Sequence, residues 1–96
     1  MASEKDIETY LRDRVKKLGG IAYKFVSPGN DGVPDRLIVM PGGRIFFVEL
    51  KAPGRKSTAL QQMQQQRLAA LNCVVYADVD SREKVDAILA PWGVGR

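Results

Sequence analysis

At 96 residues the chain makes one domain with a small core, which a second subunit would help stabilise. Its 45% hydrophobic and 27% charged residues are ordinary for a globular protein, and no apolar run approaches the roughly 20 residues that span a membrane. With no histidine and one cysteine, Ser-His-Asp and Cys-His mechanisms are excluded, and a zinc site of nitrogen and sulfur ligands nearly so. The net charge of +4 suits a polyanionic partner such as nucleic acid, although a slightly basic solvated surface would read the same. Cys73 lies in an apolar stretch and reads as a reduced core thiol. Residues 1–6 carry no signal-peptide core, so an intracellular, cytoplasmic protein is expected.

In chain order, Ser3 caps a first helix with Asp6 at the capping-box position. Ile7, Tyr10, Leu11, Val15 and Leu18 make its apolar face, and Gly19-Gly20 ends it. Glu4, Glu8 and Arg12 run along the edge of that face, so Glu8 can look into a cleft beside a sheet; a solvated helix glutamate is the plainer reading. Residues 21–26 read as a first strand, with Tyr23 and Phe25 on one face and Lys24 on the other. Residues 27–32 are a loop whose glycines suit either a backbone approach to a phosphate or a plain connection. Residues 33–40 and 44–51 are two strands joined by Pro41-Gly42-Gly43. The second begins apolar on both faces, as a central strand does between two layers. Residues 52–56 break it and bring Arg55 and Lys56 near its end.

Thr58 then caps a second helix, with Gln61 at the capping-box position. Leu60, Met63, Leu68 and Leu71 are its expected buried side, and glutamines at 61, 62, 64, 65 and 66 its surface. Residues 73–77 read as a fourth strand. Asp80 or Ser81 caps a last helix with Val85, Ile88 and Leu89 inward, and Pro91 stops it. In the tail, residues 92–96, Trp92 packs either on the body or on a second subunit. The order α-β-β-β-α-β-α predicts an α/β sandwich with a mixed sheet, one domain over residues 1–96.

Chemistry concentrates at the end of the third strand. Side chains alternate along a strand, so Glu49 and Lys51 share one face and Leu50 takes the other. With a three-residue loop, Met40 pairs with Arg44, and counting outward sets Asp35 opposite Glu49, Cβ atoms roughly 5 Å apart. A two-residue loop would slip the register and turn Asp35 away. Two carboxylates so close repel, and a raised pKa on one or a shared cation relieves them. Hard oxygen donors favour Mg²⁺ or Mn²⁺. The pattern points to metal-assisted chemistry, with Lys51 beside a water nucleophile or a developing phosphate charge. Lys24, Arg36, Arg55 and Lys56 would contact a nucleic-acid backbone without reading its sequence. Gln61 either faces this cleft or serves only as the cap.

Gly32-Val33-Pro34-Asp35, then Val48-Glu49-Leu50-Lys51, then Leu60-Gln61 resembles the PD-(D/E)XK nuclease superfamily and, within it, the virus-type replication–repair nuclease (VRR-NUC) family. The resemblance covers nearly the whole chain and implies a restriction-endonuclease-like sandwich with Mg²⁺- or Mn²⁺-dependent endodeoxyribonuclease activity and no organic cofactor. By resemblance, Asp35 and Glu49 look like metal-binding acids, the Leu50 carbonyl a further ligand, and Lys51 the catalytic lysine. Glu8 is placed like the leading-helix glutamate that often joins the metal site, with Glu4 as its rival. Gln61 matches the glutamine at the start of the later helix, within the catalytic set. Lys24 and Ser27 match, more loosely, a basic residue and a serine near the cut phosphate in archaeal Holliday-junction resolvases. The likeness to phage-type stand-alone members implies a homodimer acting on branched DNA such as four-way junctions. Two alternatives stay open: a non-catalytic nucleic-acid-binding module, or a subunit of a larger phage or bacterial replication–repair assembly.

Overall fold

A computed structural model describes residues 2–93. The expectations for Met1 and for residues 94–96 of the tail lie outside them. The first helix, α1 (Glu4–Lys17), is closed by the expected capping box: the Ser3 hydroxyl accepts from the Asp6 N–H, and the Asp6 carboxylate accepts from the Ser3 N–H. Three strands follow: β1 (Ile21–Lys24), β2 (Arg36–Met40) and β3 (Arg44–Leu50). The helix α2 (Ala59–Ala70) leads to β4 (Val75–Val79), and the helix α3 (Arg82–Leu89) ends in a 3₁₀ turn, Ala90–Trp92. The sheet order is β1-β2-β3-β4. β1, β2 and β3 pair antiparallel, and β4 joins β3 in parallel after the α2 crossover, so the sheet is mixed as expected.

Met40 pairs with Arg44 across Pro41-Gly42-Gly43. This fixes the register and sorts the side chains onto two faces. Ile38, Met40, Phe46, Val48 and Leu50 point to one face, where Ile7, Leu11 and Val15 of α1 and Val85 and Leu89 of α3 close a single core. Arg36 lies on this same face, two residues from Ile38. The other face carries Leu37, Val39, Ile45 and Phe47, continued onto β1 by Ile21 and Tyr23, which pair with Val39 and Leu37. Neither α1 nor α3 covers it, and Ile21, Tyr23 and Ile45 stay about half exposed.

Several boundaries and faces differ from expectation. β1 stops at Lys24, though the Phe25 N–H still donates to the Asp35 carbonyl at 2.8 Å. β4 begins and ends two residues later than expected. Its start is delayed because the Cys73 N–H is spent on the Leu68 carbonyl at the end of α2. Its end runs through Asp78, held at φ 54° beside an irregularity in the β3–β4 pairing, a conformation more tolerable for aspartate than for most residues. The expected buried side of α2 is a correction: Leu60, Met63 and Leu71 are exposed, Leu71 at 76%. The helix lies along β4 at the sheet edge, off the main core, and its one buried residue is Gln64. Ser81, and not Asp80, caps α3. Trp92 packs on the body, its Nε1–H donating to the Pro41 carbonyl at 3.1 Å and its ring beside Phe46 and Arg44. Cys73 is a free, partly buried thiol. No helix among the described residues is long and apolar enough to cross a membrane.

Candidate active site

The hairpin register carries one step past Arg36–Val48 to set Asp35 opposite Glu49, as the three-residue loop predicts. The Asp35 carboxylate accepts the Leu50 backbone N–H at 2.8 Å, which fixes its orientation against β3. Glu49 is only 1% exposed. Burial, the Asp35 carboxylate within hydrogen-bonding reach and the negative charge of Asp35 push its pKa up to about 9, while Lys51 pulls it down. At neutral pH, with no cation bound, Glu49 therefore holds a proton. Its Oε1 is buried and has no hydrogen-bond partner. An orphaned carboxyl oxygen at that depth is costly unless a hydrogen-bond donor or a cation reaches it. The donor set here is hard oxygen, so the pair fits Mg²⁺ or Mn²⁺. Lys51 lies on the same face two residues on, with its N–H donating to the Val79 carbonyl at 3.0 Å.

Glu8 does not sit with this pair. It faces Arg36 on the helical side of the sheet, Oε2 3.0 Å from the guanidinium Nε. Arg36 also donates to the Ala22 carbonyl at 3.3 Å and is 8% exposed. The expectation that Arg36 meets a phosphate backbone is therefore corrected: alternation turns it under α1, where its charge is already matched. Glu4, in the first turn of α1, adds its negative charge to the field at Glu49. Among the described residues no three His, Cys, Asp or Glu side chains form a ready cluster for a metal ion.

The remaining candidates are scattered around the acids. Gln61 closes the α2 capping box, its side-chain oxygen accepting the Thr58 N–H at 2.9 Å. The Ser27 hydroxyl accepts from the Asn30 side-chain amide at 2.9 Å and so stabilises the loop after β1. Lys24 is exposed and paired with Arg36, on the face opposite Asp35 and Glu49. Arg55 and Lys56 are exposed in the loop after Lys51.

Three further side chains support the site that the sequence pattern did not single out for it. The Ser57 N–H and hydroxyl both donate to Asp78 Oδ1 at 2.7 Å, and these bonds hold the Asp78 carboxyl below its usual pKa. Gln64 donates to the Asp31 carbonyl at 3.1 Å. Its signal in the sequence was its place inside the apolar stripe Leu60, Met63, Leu68 and Leu71, where an amide is out of pattern.

No family model matches the chain. A phage protein named "Putative nuclease p44", from Acyrthosiphon pisum secondary endosymbiont phage 1, is 59% identical over 68 residues, which cover 71% of this chain and 73% of that protein. A solved structure described as "VRR_NUC domain" superposes with a TM-score of 0.84 at 30% identity, covering 93% of this chain and 97% of that one. The structural likeness agrees with the mixed sheet described above, and the chain belongs to the VRR-NUC family of PD-(D/E)XK nucleases.

Proposed function

We propose that this nuclease is a Mg²⁺- or Mn²⁺-dependent endodeoxyribonuclease that hydrolyses phosphodiester bonds, prefers branched DNA such as four-way junctions, and works as a two-fold dimer. The observation that carries the reading is the Asp35–Glu49 pair, with its orphaned buried oxygen, beside Lys51 at the end of β3. Asp35, Glu49, the Leu50 carbonyl and a carboxylate from α1 would hold the metal, which supplies a Lewis acid that lowers the pKa of bound water and offsets charge on the phosphate. Glu4 suits that helix carboxylate better than Glu8, because Glu8 is already paired with Arg36. Asp35, tied to the Leu50 N–H, keeps the two acids in register. Lys51 brings an ammonium to the reacting phosphate, where it orients the nucleophile or stabilises the pentacoordinate transition state. Arg55 and Lys56 contact the DNA backbone, while Lys24, on the opposite face, is not among these contacts.

One site makes one nick, and a two-fold dimer sets two sites against opposed strands. Supporting the dimer is the apolar face formed by Ile21, Tyr23, Leu37, Val39, Ile45 and Phe47, which suits face-to-face sheet packing. The test is cleavage of end-labelled single strand, duplex, flap and four-way junction with Mg²⁺ or Mn²⁺. Symmetric, metal-dependent nicks in the junction are expected. Equal cutting of every substrate would keep the nuclease and remove its selectivity, and no cutting of any would contradict the reading.

A further inference from the structure

The glutamines of α2 do more than solvate it. Gln64 is 7% exposed, and its side-chain N–H donates to the Asp31 carbonyl. One residue on, Gly32 backs onto the same helix at φ 88°. A Cβ there would stand 2.9 Å from Leu60 Cγ and 3.1 Å from the Leu60 carbonyl carbon and oxygen. Buried Pro34 follows, and then Asp35, whose carboxylate receives the Leu50 N–H. The loop that presents Asp35 is thus held at one end by α2 and at the other by β3.

Two further glutamines hold the loop after Lys51. Gln62 donates to the Ser57 carbonyl at 3.1 Å, and Gln65 donates to the Ser57 hydroxyl at 2.8 Å. That hydroxyl passes its own proton's bond on to Asp78 of β4. One helix therefore grips the chain segments on either side of the two acids, and Gln64 is the buried member of the set. A buried amide with one strong bond to a backbone carbonyl fixes position, because breaking that bond leaves the buried Gln64 amide unsatisfied.

We propose that Gln64 is a positioning residue: through the Asp31 carbonyl it sets the height of the Asp35 loop, and hence the approach of Asp35 to Glu49. The inference rests on the reading of those acids as the working pair, but its first readout needs neither metal nor DNA. Gln64→Met keeps the length of the side chain and removes the donor. Gln66→Met, at an exposed position of the same helix, is the control. Amide hydrogen exchange of the metal-free protein reads the effect directly, since the Leu50 N–H is protected by the Asp35 carboxylate. In Gln64→Met the Leu50 amide should exchange at least about tenfold faster, while core amides such as Ile38 and Val48 keep their rates. Mn²⁺ binding by calorimetry should weaken in step, and Gln66→Met should change neither.

A uniform rise at Leu50, Ile38 and Val48 would reduce Gln64 to a general stabiliser and overturn the inference. Unchanged Leu50 exchange would overturn it too. Should Gln64→Met fail to fold, Gly32→Ala loosens the same docking from the other side and must show the same selective effect at Leu50. If selective exchange appears but the unaltered protein cuts no DNA, the positioning role stands and the nuclease reading is the part that fails.

Discussion

The two faces of the sheet use charge in opposite ways. Under α1, Arg36 is buried beside Glu8 at 3.0 Å and the Ala22 carbonyl, so the charge is matched within the fold. On the other face Glu49 is as deeply buried, yet one of its oxygens has no partner and its closest companion is another acid. Both cost desolvation, but only the first is repaid by the chain itself. A carboxyl kept protonated by its surroundings, at the end of a strand and beside a lysine, marks a place built for something from outside. The contrast teaches that burial of a charge says little until its partners are counted.

The largest expected effect comes from removing the chemistry on the face of Asp35 and Glu49. Lys51→Ala should lower the cleavage rate by on the order of 10³-fold, about 4 kcal/mol, while circular dichroism and DNA binding stay close to the unaltered protein. Cleavage near the unaltered rate would break the comparison at its centre.

Next in size is the pH dependence of the metal-free protein. Glu49 has a folded pKa of about 9 against an ordinary value of 4.5, so between those values the native chain holds a proton that the unfolded chain has lost. The slope of stability with pH follows protons bound in the unfolded minus the native state, so stability falls as pH rises through that window. Its contribution is fully present below about pH 4.5 and gone above about 9. Thermal melts should show a drop over this range, and Glu49→Gln should flatten it, raising the melting temperature at pH 9 by on the order of 5 °C.

Much of this site was legible because short-range rules fixed it. Pro41-Gly42-Gly43 set the hairpin register, and with it Asp35 opposite Glu49. The capping boxes of Ser3 with Asp6 and Thr58 with Gln61 were readable from residue type and spacing alone. Arg36 was misplaced although alternation already put it on the face of Ile38 and Met40; its basic character outweighed its position. The face of α2 was misread for a different reason. Periodicity reports an apolar stripe but not what lies opposite, and α2 meets the edge strand and two polar loops, so Gln64 is buried while Leu71 is not. The end of β4 was set too early at residue 77, because the paired donation from Ser57 that holds Asp78 within the strand comes from a distant loop.

On the helical face the effect should be smaller and of another kind. Glu8→Ala leaves the Arg36 guanidinium short of its acceptor and should cost about 2 kcal/mol of stability by urea unfolding, with cleavage per folded molecule retained. A large loss of cleavage with stability intact would instead make Glu8 a member of the site. The smallest effect is expected in the exposed loop after Lys51. Arg55→Ala or Lys56→Ala should each weaken DNA binding a few-fold and lower the salt slope by about one, measured by fluorescence anisotropy across a salt series.

The contrast between the faces is tested most directly by Mn²⁺ calorimetry on the unaltered protein, Glu49→Ala and Glu8→Ala. Saturable binding is expected in the unaltered protein and in Glu8→Ala, and none in Glu49→Ala. Binding that survives Glu49→Ala, or that disappears with Glu8→Ala while the protein stays folded, would contradict the assignment of the metal to the Asp35–Glu49 face.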